Sequence, residues 1–168
     1  VDVKKAISAI PQVLSVPGRL EKVETKNGKS TVYVDYAHTP DALSTILRTI
    51  RPHVEGSLYL VFGCGGDRDK TKRRIMGEIS SKMADKVIIT DDNPRTEDPG
   101  TIRRDVILGC PDAIEIADRG EAIDTAIQML DPKDVLIIAG KGHEKGQEIN
   151  GKIYPFDDFN FANYDILF

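Results

Sequence analysis

Five short runs of aliphatic and β-branched residues punctuate the chain: Val32 to Asp35, Leu58 to Phe62, Val87 to Thr90, Ile114 to Ala117 and Val135 to Ala139. They are rich in Val and Ile and mostly free of polar residues, which is how strands buried on both faces of a parallel sheet read. Between them lie segments of helical period. Leu43, Ile46, Leu47 and Ile50 share one helix face, behind Thr39 as N-cap and Pro40 at the first helical position. Ile75, Ile79 and Met83 predict a second helix. Ile102 and Val106, opened by Asp98-Pro99, predict a third, and Ile123, Ala126, Ile127 and Leu130 a fourth. Strand and helix alternating in this way predict an open, mostly parallel α/β sheet with flanking helices and right-handed crossovers. Asn27-Gly28 and Asn150-Gly151 each sit between extended runs, a strong hairpin signal. An antiparallel strand is therefore expected to flank each end of the parallel set. The stretch from Asp157 to Phe168 reads equally as a closing helix or an irregular tail.

Composition narrows the function. The chain of 168 residues suits one domain with a single core. Its formal net charge of -4, with no run of Lys or Arg, excludes a phosphate backbone as partner, so no nucleic acid is expected. Cys64 and Cys110 lie too far apart for metal-ligand spacing, and so few cysteines favour a reducing, cytoplasmic setting. No apolar run approaches the ~20 residues that span a bilayer, so no membrane is expected. Residue 1 is Val, which suggests a start inside a longer protein.

In open α/β sheets, ligands bind where strand-to-helix loops gather at the carboxyl ends of the strands. Four such loops here are rich in charge and glycine. They are Asp35-Tyr36-Ala37-His38-Thr39-Pro40-Asp41, Gly63-Cys64-Gly65-Gly66-Asp67-Arg68-Asp69-Lys70, Asp91-Asp92-Asn93-Pro94-Arg95 and Gly140-Lys141-Gly142-His143-Glu144. A site at that edge is expected.

The glycine loop resembles a dinucleotide fingerprint, but Arg68 stands where its third glycine belongs. Lys70-Thr71 lacks the preceding glycine of a Walker A loop. The loop either approaches an anion through its backbone N–H groups or makes a tight turn. Asp35 and His38 fit an acid/base pair, polar contacts to a nucleotide, or merely a strand end and a helix cap. The planar fork of Arg95, stiffened by Pro94, suits a carboxylate, or belongs to a surface turn. Glu144 could face a ligand ammonium, or sit in an ordinary turn. His143 has no second ligand nearby, so no metal site is expected; Cys64 reads as small filling. No catalytic nucleophile stands out.

Taken together, these segments resemble the C-terminal domain of the Mur ligases. They are Pro17-Gly18-Arg19, Asp35 to Leu43, Val61 to Lys70, Thr90 to Thr96 and Ala139 to Glu144, in the family's order across roughly residues 17 to 158. The resemblance is to the tripeptide-forming members. It implies a Rossmann-like fold with antiparallel hairpin additions, residues 1–16 forming the trailing end of a central ATP-binding domain and 17–168 the amino-acid-recruiting domain.

It also implies an ATP- and magnesium-dependent ligase of peptidoglycan synthesis. Such a ligase joins meso-diaminopimelate to the D-glutamate γ-carboxylate of UDP-MurNAc-L-Ala-D-Glu through an acyl phosphate. Carried over by motif, Arg19, Asp35 and His38 contact the nucleotide. Arg68, Asn93 and Arg95, with Pro94 shaping their loop, hold carboxylates of diaminopimelate. Gly140 and Glu144 receive its ammonium. The Asn-Pro-Arg loop goes with diaminopimelate rather than lysine, because a buried Arg left without a carboxylate penalises lysine. ATP phosphates and magnesium fall mostly to the other domains, so this domain alone is expected to be inactive. The alternatives are a lysine-adding or other Mur-type ligase domain, and a non-catalytic Rossmann-type nucleotide-binding module.

Overall fold

The computed structural model describes residue 3, residues 16–23 and residues 30–167. The β-branched runs pair into a six-stranded sheet made of Glu21–Val23 (β1), Thr31–Asp35 (β2), Leu58–Phe62 (β3), Lys86–Ile89 (β4), Ile114–Glu115 (β5) and Val135–Ala139 (β6). Its strand order is β1-β2-β6-β3-β4-β5. β1 runs antiparallel to β2, and every other pairing is parallel. The helices are Pro40–Ile50 (α1), Thr71–Met83 (α2), Pro99–Ile107 (α3), Arg119–Gln128 (α4) and Asp158–Leu167 (α5). Gly146–Ile149 (β7) and Lys152–Pro155 (β8) form a separate antiparallel hairpin.

Alternation along the central strands splits the core in two. Leu58, Leu60 and Phe62 of β3 and Ile137 of β6 meet Leu43 and Leu47 of α1, Met76 of α2 and Val106 of α3. On the other face, Val61, Ile88, Leu136 and Ile138 meet Ala122, Ile123 and Ala126 of α4 and Ala162 of α5. Each fully buried aliphatic side chain contributes about 1.5–3 kcal/mol relative to exposure, so β3 and β6, apolar on both faces, anchor the sheet.

The expected caps form: Thr39 Oγ1 accepts from Ala42 N at 3.3 Å, and Asp98 Oδ2 from Thr101 N at 2.8 Å. They start the two helices just beyond the loops that follow β2 and β4. The tail is helical, as α5.

Four expectations need correction. Residue 75 is not on the core face of α2, which buries Met76, Gly77 and Ser80; Ile75 is 46% exposed. The run at 114–117 forms only a two-residue edge strand with both residues exposed, since among the described residues no strand covers its far side. Leu130 lies beyond the end of α4. The hairpin at Asn150-Gly151 exists, but its strands pair with each other and do not extend the parallel sheet. Asn27-Gly28 and nearly all of residues 1–16 lie outside the described residues.

Register explains why the loops converge. Asp35 pairs with Ala139, Ala139 with Phe62, and Phe62 with Ile89, so four parallel strands end in one row. After β5 the chain returns along the other face through α4 and inserts β6 between β2 and β3. That reversal opens a crevice at the carboxyl edge, where such sheets take ligands.

Candidate functional site

A cleft of about 590 Å³ lies over this edge, lined from all four loops. Six of the residues expected from sequence share it: His38, Arg68, Asn93, Arg95, Gly140 and Glu144. The other three stand elsewhere. Asp35 commits both carboxylate oxygens to backbone, accepting from Leu20 N and Ala37 N at 2.8 Å each, and so ties the 16–20 turn to β2. Arg19 lies over the Tyr36 ring, 4.8 Å from its centroid, on the outer rim. Pro94 turns its carbonyl against Gly66, where a Cβ would come within 1.9 Å of that oxygen. Only glycine lets the two loops approach so closely.

The glycine loop and the Asn-Pro-Arg loop act as one body. Gly66 N donates to Asn93 O at 2.8 Å, and Arg95 Nη1 donates back to Gly66 O at 2.8 Å. Asp67 N donates to Glu97 Oε1, while Thr96 N and Oγ1 donate to the Asp67 carboxylate. Beneath them Arg73, fully buried, donates to Glu97, Asp105 and Gly65 O. The Arg73 guanidinium, with help from Asp67 N–H and Lys70, holds the Glu97 carboxyl down to about 2. This loop is braced chiefly by side chains and neighbouring backbone.

Arg95 has a left-handed backbone, φ 52°, a conformation costly for a non-glycine residue. The hairpin secures it: Arg95 N donates to Glu148 O at 3.0 Å, and Asn150 N donates to Arg95 O at 2.7 Å. Its Nε pairs with Glu148 Oε2 at 3.1 Å. Gly66 O and Asn93 O thus take up Nη1, and Glu148 takes up Nε. Arg68, by contrast, is exposed, and among the described residues it donates to the neighbouring Asp67 O.

The opposite wall is acidic. Asn93 Nδ2 donates to Glu144 Oε2 at 3.0 Å, and Asp92 also lines the cleft. Gly140 adopts φ 116°, which only glycine enters readily, and a Cβ there would stand 3.1 Å from Asp92 Oδ2. At the far end, His38 Nδ1 lies 2.8 Å from Tyr36 O. A carbonyl only accepts, so Nδ1 carries the proton and Nε2 is the remaining ring nitrogen. Lys72 Nζ donates to His38 O at 2.7 Å, joining α2 to this loop. Cys64 is buried, and burial pushes its thiol up to about 12, which removes it as a nucleophile at neutral pH.

Sequence reading missed Lys141, a fully buried amine behind the acidic wall, and the contributions of Asp92, Gln147 and Glu148. The glycines on both sides of Lys141 were a usable signal of a tight, inward-turned loop. Nothing in linear order announces that the hairpin folds back onto residue 95.

The chain is similar to known proteins over most of its length. A family model for "Mur ligase, glutamate ligase domain" matches residues 18–142. The UDP-N-acetylmuramoyl-L-alanyl-D-glutamate–2,6-diaminopimelate ligase of Chelativorans sp. (strain BNC1) is 54% identical over 154 residues, covering 92% of this chain and 32% of that protein. The ligase of the same name from Zymomonas mobilis is 49% identical over 170 residues, covering 99% and 35%. A solved structure of a protein so named superposes with a TM-score of 0.84 at 41% identity, covering 99% of this chain and 34% of that one. The chain therefore spans about a third of the length of the curated relatives it matches. Among the described residues, no helix is long and apolar enough to cross a membrane.

Proposed function

The chain belongs to the Mur ligase family, through its glutamate ligase domain, and from that premise we propose that it recruits meso-diaminopimelate for an ATP-dependent ligase. The ligase joins this amino acid to the D-glutamate γ-carboxylate of UDP-MurNAc-L-Ala-D-Glu. The observation that carries the reading is the charge layout of one cleft. Arg68 and Arg95 stand on one side, Asp92 and Glu144 on the other, with Asn93 between them. A ligand with carboxylates and ammonium groups at both ends matches that layout.

Arg95 is the selecting group in this reading. Gly66 O and Glu148 fix the plane of its guanidinium, so an incoming carboxylate meets a pre-oriented fork. Lysine, without a distal carboxylate, leaves that fork unanswered. Asp92 and Glu144 receive an ammonium, and the loop at Gly140 lets the ligand approach the backbone. Held so, the attacking amine is delivered in fixed orientation, which is the main service a recruiting domain gives to acyl transfer.

ATP, when bound, would supply the phosphoryl group that activates the D-glutamate γ-carboxylate, with ADP as the leaving group. His38, on the cleft wall, and Arg19, on the rim, fit polar contact with its phosphates or ribose across a closing interface. Asp35, held by two backbone N–H groups, serves by fixing the turn that carries Arg19. Among the described residues no three His, Cys, Asp or Glu side chains gather to hold a metal.

An NMR titration of the chain with meso-diaminopimelate, and with L-lysine as control, tests the reading. Shift changes confined to diaminopimelate and mapping to Asn93, Arg95 and Glu144 are expected. An equal response to lysine overturns the assignment of Arg95.

A further inference from the structure

Lysine is among the residues least often buried, because its ammonium loses three hydrogen bonds to water. Lys141 has no exposed surface. Gly140 and Gly142, both at positive φ, turn the backbone so that its side chain runs inward. There Nζ meets three acceptors: Asn93 Oδ1 at 2.9 Å, Asp92 Oδ1 at 3.4 Å and Glu144 Oε2 at 3.5 Å. Asp92 and Asn93 come from the loop after β4, Glu144 from the loop after β6. The amine therefore ties together the two loops that form the acidic wall.

Two consequences follow from this geometry. Asn93 Oδ1 accepts from Lys141 Nζ and also from Glu148 N at 2.9 Å. With the oxygen so occupied, Nδ2 faces the other way and donates to Glu144. The amide has one orientation because its oxygen lies between two donors. Secondly, two carboxylates and one ammonium leave the wall with a single net negative charge. Without Lys141, Asp92 and Glu144 would repel each other and splay.

We propose that Lys141 is a positioning residue for amino-acid recognition: it sets the Asn93 amide and the Glu144 carboxylate so that a ligand ammonium meets one aligned negative charge. The proposal rests on the reading above that the cleft takes an amino acid. Lys141 itself stays behind the wall and acts through Asn93 and Glu144.

The test is a double-mutant cycle in the full-length ligase, with the KM for meso-diaminopimelate and the KM for ATP measured separately. Lys141→Met is expected to raise the first by about tenfold or more and leave the second within about twofold. Glu144→Gln should raise the same KM. The double variant should lie within about threefold of Glu144→Gln, because two residues acting through one contact are not additive. A further rise of about tenfold on the Glu144→Gln background overturns the proposal. So does an unchanged KM in Lys141→Met, or an equal rise for ATP. Should Lys141→Met fail to fold, Glu144→Gln and the double variant, in which Glu144 no longer repels Asp92, carry the comparison. A wild-type enzyme inactive with diaminopimelate takes down the amino-acid reading and this inference together. An active wild type with an unaffected Lys141→Met takes down only the inference.

Discussion

Arg119 and Asp158 are joined by two parallel hydrogen bonds of 2.7 Å, with neither side chain exposed to solvent. The pair binds the first residue of α4 to the first of α5. Arg119 Nη2 also donates to Ala139 O at 3.1 Å, the last residue of β6 before the Gly140 loop. The closing helix is thereby fastened beneath the cleft. Removing one partner strands the other charge in the core. Asp158→Ala is therefore expected to cost about 3–5 kcal/mol, read as a lowered midpoint in urea unfolding. An unchanged midpoint would show that water or another acceptor replaces the carboxylate.

Acid should loosen the braced loops before it unfolds the sheet. The carboxyl of Glu97 falls from its ordinary 4.5 to about 2, chiefly because Arg73 donates to it. A carboxyl depressed in the folded state stabilises the fold above its unfolded value and loses that contribution as pH falls through the folded value. Stability should thus decline between pH 4.5 and about 2. In Glu97→Gln that component of the decline should be absent. Denaturation of both proteins across this range checks the prediction; parallel curves would refute it.

Gly66→Ala places a methyl 1.9 Å from the Pro94 carbonyl, a rigid backbone atom. Neither loop can yield without breaking the bonds from Gly66 N to Asn93 O and from Arg95 Nη1 to Gly66 O. The expected cost is about 1–3 kcal/mol, with amide shifts concentrated at residues 93–97. A variant as stable as the parent, with shifts confined to residue 66, would contradict the packing described.

Arg95→Met should weaken diaminopimelate far more than lysine. Loss of charged hydrogen bonds worth about 1.5–3 kcal/mol lowers kcat/KM for diaminopimelate by about 10–150-fold. The ratio of kcat/KM for the two amino acids is the measurement. A ratio that does not move would reassign selection to Arg68.

The parts of the fold visible in sequence were those set by local period and local chemistry. Strands β3 and β6 announce themselves because burial on both faces demands unbroken aliphatic runs, and β2 because Val32 and Val34 alternate with less buried neighbours. The caps at Thr39 and Asp98 are equally local. The core face of α2 misled because it buries Arg73, Gly77 and Ser80, residues that no hydrophobic count selects. Arg73 is there for its three acceptors, and Gly77 for a close approach to Val106 O. In the cleft, six of nine expected residues came together because each motif follows a parallel strand that ends in the same row. Asp35 points elsewhere because Leu20 and Ala37 claim its oxygens. Lys141 stayed hidden because two of its three partners, Asn93 and Asp92, lie 48 and 49 residues away.

The hairpin of β7 and β8 hangs outside the six-stranded sheet, yet its backbone holds Arg95 in place. The same hairpin reaches the acidic wall, where Gln147 Nε2 donates to Asp92 O and Glu148 N to Asn93 Oδ1, while Arg95 is held from the glycine loop as well. Substitutions in the hairpin can re-aim Arg95 without disturbing β3 or β6. One appendage thus sets the spacing of opposite charges across the cleft, and a change in its length or pitch would move both walls together.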